Sequence, residues 1–217
     1  MVLNNVFYLI VKTFFRVVFI LYNRLEVRGL DKVPPGMSFI VASNHASYID
    51  PPLLGGVFPG RLRYLAKESL FRNPVMGFLI STLGAVSVKR EDSQRAGAVM
   101  KIMLARLALG ESFLIFPEGT RSSDGKLLPL EGGAAFLSVK SGVPLLPVYI
   151  SGSSDVMPPH RFFPRPAKVR VTFGDPIFPD NAIEGEKQRR EAVKDALEKA
   201  LHSLERVSAD DRSRKCA

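Results

Sequence analysis

Phe39-Ile40-Val41-Ala42-Ser43-Asn44-His45-Ala46-Ser47-Tyr48-Ile49-Asp50-Pro51-Pro52 is the stretch from which the fold and the chemistry of this chain are read. The apolar run 39–42 has the length and composition of a buried strand, and it ends just before His45. Asp50 followed by Pro51 reads as a helix N-cap with proline in the first turn. His45 is therefore expected at the carboxyl end of a strand, where open α/β sheets place their ligands. A four-residue connection can fold back so that the Asp50 carboxylate accepts a hydrogen bond from one imidazole nitrogen. That bond fixes the tautomer and leaves the other nitrogen free to take a proton.

A second segment has the same design. Ser112-Phe113-Leu114-Ile115-Phe116 is strand-like and ends in the turn Pro117-Glu118-Gly119-Thr120-Arg121-Ser122. Gly119 permits a curved backbone whose N–H groups converge on one concavity, and Thr120 and Ser122 add hydroxyls. Arg121 supplies a planar fork matched to phosphate oxygens. Glu118 is expected to hold that guanidinium or to bind a substrate hydroxyl. Taken separately, the same residues also describe a loop histidine with a helix cap, and a surface turn with a Glu/Arg pair.

Strand-like runs near 38–43, 63–67, 85–89, 112–116, 145–150 and 168–173 alternate with helical patterns. They predict a single α/β domain with a mixed, mainly parallel central sheet flanked by helices. Asp92 or Ser93 opens a helical pattern that stops at Gly110. A second pattern runs from about 186 to 206 through Val193, Leu197, Leu201 and Leu204, as core-packing stripes. With 217 residues and 46% hydrophobic content the chain suits one domain over 25–207, preceded by an N-terminal helix over 1–24 and followed by a disordered polar tail over 208–217.

Residues 6–22 are apolar but interrupted by Lys12 and Arg16. On a helical wheel Asn5, Lys12, Arg16 and Asn23 fall within about 40° of one another, opposite a broad apolar face. Two central cations cost about 2.5–3.5 kcal/mol each in a spanning helix, whereas an interfacial helix keeps them hydrated. The expected arrangement is a helix lying in the membrane surface, with a single span and a helix packed on the soluble core as the competing ones. Early cations and a small-residue cleavage site are lacking, so removal as a signal peptide is not expected. The net charge of +9 suits an anionic bilayer. No stacking motif, basic helix or zinc spacing favours nucleic acid. The single Cys216 excludes an intrachain disulfide and a cysteine metal cluster, and no metal site is expected.

Asn44-His45-Ala46-Ser47-Tyr48-Ile49-Asp50 and Phe116-Pro117-Glu118-Gly119-Thr120-Arg121-Ser122 resemble the two main blocks of the lysophosphatidate (1-acylglycerol-3-phosphate O-) acyltransferase family. Lys67-Glu68-Ser69-Leu70-Phe71 with 84–90, and Val143-Pro144-Leu145-Leu146-Pro147-Val148, resemble two further blocks in the family's order. One departure stands in the third block, where many members carry an aromatic and this chain has Ser87. That block is tied to the acyl acceptor, so the departure bears on the acceptor's identity more than on the chemistry.

The resemblance implies transfer of a fatty acyl group from acyl-CoA or acyl carrier protein to the free hydroxyl of a membrane lysolipid, 1-acylglycerol 3-phosphate, giving phosphatidate. No resident cofactor is implied. His45 and Asp50 would be catalytic; Lys67, Arg90, Glu118, Gly119, Thr120, Arg121 and Ser122 would bind substrate. The expected setting is the cytoplasmic face of a membrane, monotopic or peripheral. A different lysolipid acceptor and a non-catalytic phosphate-binding membrane module are the alternatives. The chain has no Gly-x-Ser-x-Gly elbow, which is consistent with direct attack by the acceptor alcohol; Ser47 and Ser122 are nucleophiles on paper only.

Overall fold

A computed structural model describes residues 2–88, 93–158 and 163–213. Seven strands form one sheet in the order β1-β7-β6-β2-β5-β3-β4, comprising β1 (Glu26–Arg28), β2 (Ile40–Ser43), β3 (Leu62–Lys67), β4 (Ala85–Val88), β5 (Ser112–Ile115), β6 (Leu145–Ser151) and β7 (Arg170–Phe173). Only β6 and β7 run antiparallel; the other pairings are parallel. This is the mixed, mainly parallel sheet the sequence predicts. β2 is central, with Ile40 opposite Phe113 of β5 on one side and Leu145 of β6 on the other.

The central strand is apolar at every position because both faces are covered. Phe39 and Val41 point into one core with Leu53, Leu54, Leu114, Leu146 and Phe173. Ile40 and Ala42 point into the opposite core with Phe113, Leu137, Leu145, Leu197 and Leu201. The first face is covered by α1 (Val2–Asn23), α2 (Asp50–Val57) and α3 (Pro74–Thr82), the second by α4 (Ser93–Ala108), α5 (Gly133–Ser141) and α7 (Glu186–Ser213). A one-turn helix, α6 (Ser153–Val156), follows β6. Burying each of the large aliphatic side chains contributes about 1.5–3 kcal/mol.

Gly84, which leads into β4, has φ of 97°, and a Cβ there would lie 2.6 Å from the Leu62 carbonyl oxygen. No other residue type fits this close approach of two strands. α4 stops as expected near Gly110, whose N–H bonds to Leu107 O while Glu111 N–H bonds to Arg106 O. Those two bonds satisfy carbonyls of the last turn.

Four expectations need correction. β1 is not foreseen, because the three residues Glu26-Val27-Arg28 carry no apolar pattern. Asp50 is the first residue of α2 rather than its cap, with Ile49 in the cap position. α7 continues to Ser213, so residues 208–213 are helix rather than tail; Ser208 is buried on the stripe continued from Leu201. The fourth correction concerns the polar stripe of α1, which meets backbone carbonyls as well as solvent.

α1 turns its polar stripe toward the protein. Lys12 Nζ donates to the carbonyl of Phe58 at 2.5 Å and to that of Gly60 at 3.2 Å, both just after the end of α2. Asn23, buried, donates to the carbonyls of Arg165 and Ala167. Arg16 remains exposed at the rim. The outward face carries Val6, Leu9, Ile10, Phe14, Val17, Ile20 and Leu21. A hydrated polar face was expected from the wheel. The carbonyls after α2 and near residue 165 recruit those polar groups instead, leaving the apolar face outward. The segment Val6–Asn23 is long and apolar enough to cross a membrane.

Candidate active site

β2 and β5 are neighbours and parallel, so the loops that follow them emerge at the same edge of the sheet. The first carries His45 and the second Glu118. Asn44 directly follows β2, with its side-chain amide paired to Ile150: Nδ2 donates to the carbonyl at 2.9 Å and Oδ1 accepts the N–H at 2.7 Å. The side chain thus extends the ladder by one rung and frees the backbone of residue 45 to turn outward.

His45 Nδ1 lies 2.8 Å from Asp50 Oδ2. The same oxygen accepts the backbone N–H groups of Ala46 at 2.9 Å and Ser47 at 2.8 Å. Asp50 is fully buried. An ionised carboxylate accepts only, so Nδ1 carries the proton and Nε2 presents its lone pair. The imidazole is stacked on Phe116, with centroids 3.8 Å apart and planes inclined by 14°. Two contacts therefore fix the ring, one in its plane and one against its face, while the His45 side chain keeps 18% of its surface exposed.

The two loops are joined through the backbone of His45. Its N–H donates to Glu118 Oε1 at 2.8 Å, and its carbonyl accepts the Ser122 N–H at 2.7 Å. Glu118 Oε2 accepts the Leu128 N–H at 3.0 Å. Glu118 is buried, and that burial pushes its carboxyl up to about 6, against the lowering effect of these two N–H donors. Of the two expected roles for Glu118, holding Arg121 is not the observed one: the guanidinium rests on Tyr48, and each Glu118 oxygen accepts a backbone amide. Gly119 has φ of 68° and forms the turn.

Arg121 is exposed and rests on Tyr48. Its guanidinium carbon lies 3.6 Å from the ring centroid, and one terminal nitrogen donates to the Tyr48 hydroxyl at 2.9 Å. Tyr48 lies between His45 and Asp50, so the guanidinium sits on the histidine's own loop. Thr120 is exposed beside it. Ser122 is buried and its hydroxyl donates to Asp124 Oδ1 at 2.9 Å, so only its backbone serves the turn in this conformation. Ser47 is fully buried with its hydroxyl donating to Met157 O, which removes it as a nucleophile. Lys67 is the last residue of β3, at the same edge, opposite Val88. Arg90 lies outside the described residues, as do His160 and Cys216.

A carboxylate-oriented imidazole and an arginine-bearing glycine turn thus meet at one edge of an α/β sheet. The family model described as Acyltransferase matches residues 24–151, which include both loops. The crystal structure of the 1-acyl-sn-glycerophosphate (LPA) acyltransferase PlsC from Thermotoga maritima superposes with a TM-score of 0.76 at 31% identity, covering 91% of this chain and 79% of that one. This chain belongs to the 1-acyl-sn-glycerol-3-phosphate acyltransferase family. A Bacillus subtilis 1-acyl-sn-glycerol-3-phosphate acyltransferase is 29% identical over 192 residues, 88% of this chain and 92% of that one. The chloroplastic 1-acyl-sn-glycerol-3-phosphate acyltransferase BAT2 of Brassica napus is 31% identical over 163 residues, 74% of this chain but 47% of that one. The chain spans about half the length of that plant acyltransferase.

Three residues of the candidate site are not singled out by the sequence. Phe116 and Tyr48 are aromatic residues within the two family blocks, adjacent to the groups they support. Asn44 directly precedes the histidine, and its pairing with Ile150 across the sheet leaves no signal in a linear sequence.

Proposed function

We propose that the chain moves a fatty acyl group from a thioester donor, acyl-CoA or acyl carrier protein, to the free hydroxyl of 1-acylglycerol 3-phosphate. The hydroxyl oxygen attacks the thioester carbonyl carbon as His45 Nε2 takes its proton. The C–O bond forms, the C–S bond breaks, and the imidazolium returns the proton to the departing thiolate. Asp50 stabilises the imidazolium, and general acid–base catalysis of the kind His45 supplies is typically worth about 10²–10⁴-fold. Arg121, with Thr120 and the Gly119 turn, anchors the acceptor phosphate, and orientation of this kind lowers the barrier by several kcal/mol. Lys67 and Arg90 are the next two phosphate contacts.

The single observation that carries this reading is the 2.8 Å bond between Nδ1 and a buried carboxylate whose other partners are all donors, because it leaves a base on the open side of the ring. The outward apolar face of α1 supports a membrane-surface enzyme drawing its acceptor from the bilayer. The cytoplasmic face is the side on which either thioester donor would be met.

The test is a matrix of two donors, acyl-CoA and acyl carrier protein, against lysophosphatidate and other lysolipids. Thiol release together with phosphatidate from lysophosphatidate supports the assignment. Release only with another lysolipid moves the acceptor, and no release with any pair leaves a phosphate-binding module.

A further inference from the structure

A cavity of about 730 Å³ opens between α1 and α3, lined by Val6, Phe7, Ile10 and Phe78 on its apolar walls and by Arg61 and Arg63 at its polar end. Leu62 and Gly84, also in its lining, stand at the amino-terminal ends of β3 and β4. His45 and Glu118 follow the carboxyl ends of parallel strands in the same sheet. A six-residue strand spans roughly 20 Å, so this cavity and the imidazole lie at opposite edges.

Its walls continue the outward apolar face of α1. The Phe7 and Phe78 rings lie 5.1 Å apart, and both are substantially exposed, as are Val6 and Ile10. The Arg61 guanidinium rests on the Tyr8 ring at 4.6 Å, and the Tyr8 hydroxyl donates to Gly60 O at 3.2 Å. That stacking holds one planar cation at the polar end of an apolar slot. The volume lies within the range of about 300–1,000 Å³ usual for small-ligand sites. An apolar slot closed at one end by a guanidinium complements an amphiphile with an anionic head. Basic pockets between membrane-facing helices take lipid headgroups for the same reason.

We propose that this groove is a binding site for one anionic phospholipid of the bilayer, separate from the reaction site. An acyl chain lies against Phe7, Ile10 and Phe78, and the headgroup phosphate is held at Arg61. The lipid would act as a fixed anchor between α1 and α3, whatever the acceptor of the reaction proves to be.

The full chain would be tested with phosphatidylcholine vesicles with and without phosphatidylglycerol, and by native mass spectrometry in mild detergent with added phosphatidylglycerol. The expected result is one retained phosphatidylglycerol per chain. Arg61→Glu should weaken that retention about tenfold or more, and Lys199→Glu, an exposed charge reversal on α7, less than about twofold. Ser81→Trp, which fills the groove without touching charge, should also abolish retention and guards against an effect of Arg61→Glu on folding. Acyl transfer in detergent micelles should be retained in both groove variants. Equal weakening by the two charge reversals would reduce the site to diffuse surface attraction and overturn the proposal. So would a Ser81→Trp variant that keeps its phosphatidylglycerol but accepts only shorter acyl chains, since the groove would then belong to a substrate. Failure of the acceptor assignment would leave these binding results unchanged.

Discussion

Glu118 accepts the backbone N–H of His45 at 2.8 Å, so the acid of the second loop sets the position of the base carried by the first. The Ser122 N–H to His45 carbonyl bond closes the same junction from the other side. Neither loop can shift without dragging the imidazole. This explains why two segments 71 residues apart in sequence, from His45 to Phe116, behave as one site.

Two carboxylates should affect stability with opposite pH dependence. Glu118 is raised to about 6 by burial, so its contribution is fully present below about 4.5 and is lost as pH rises through about 6. Glu26 is lowered to about 2, chiefly by its bond from Lys168, so its contribution is present above about 4.5 and is lost as pH falls through about 2. Chemical denaturation of wild type and Glu118→Gln at several pH values checks the first. The difference between them should change between pH 4.5 and 7, and Glu118→Gln should cost about 1–3 kcal/mol at neutral pH because its amide cannot accept both N–H groups.

Asn44→Ala should destabilise the fold by about 2–4 kcal/mol, since it leaves both the N–H and the carbonyl of Ile150 buried without that partner. Urea unfolding gives the number. A loss below about 0.5 kcal/mol would mean that the rung is replaced by other contacts.

Tyr48→Ala removes the platform beneath Arg121 and should raise the acceptor KM about 3- to 10-fold with little change in kcat. Tyr48 is 58% exposed, so the melting temperature should stay put. Arg121→Lys should raise KM more, because a point charge replaces the fork. Steady-state kinetics with lysophosphatidate as the varied substrate separates these effects.

Six of the seven strands were legible because apolar runs bounded by Gly and Pro survive in a linear reading. β1 was not, because its pairing partner, Val171 of β7 opposite Val27, lies far along the chain. The His45 to Asp50 contact was legible because a short loop closes it locally. The intramolecular partners of Glu118 and Ser122, the His45 and Leu128 amides and Asp124, are not legible because they come from how loops meet rather than from spacing. α1 is legible as an amphipathic helix whose apolar face turns away from the protein. What its polar stripe meets is not, because the carbonyls of Phe58, Gly60, Arg165 and Ala167 come from distant loops.

The central claim is that His45 takes the proton of the attacking alcohol. Single-turnover acyl transfer by His45→Ala, with lysophosphatidate and a saturating acyl thioester, tests it most directly. The expected rate is lower by about 10²–10⁴-fold, with lysophosphatidate affinity and melting temperature preserved. A rate within about threefold of wild type would contradict it.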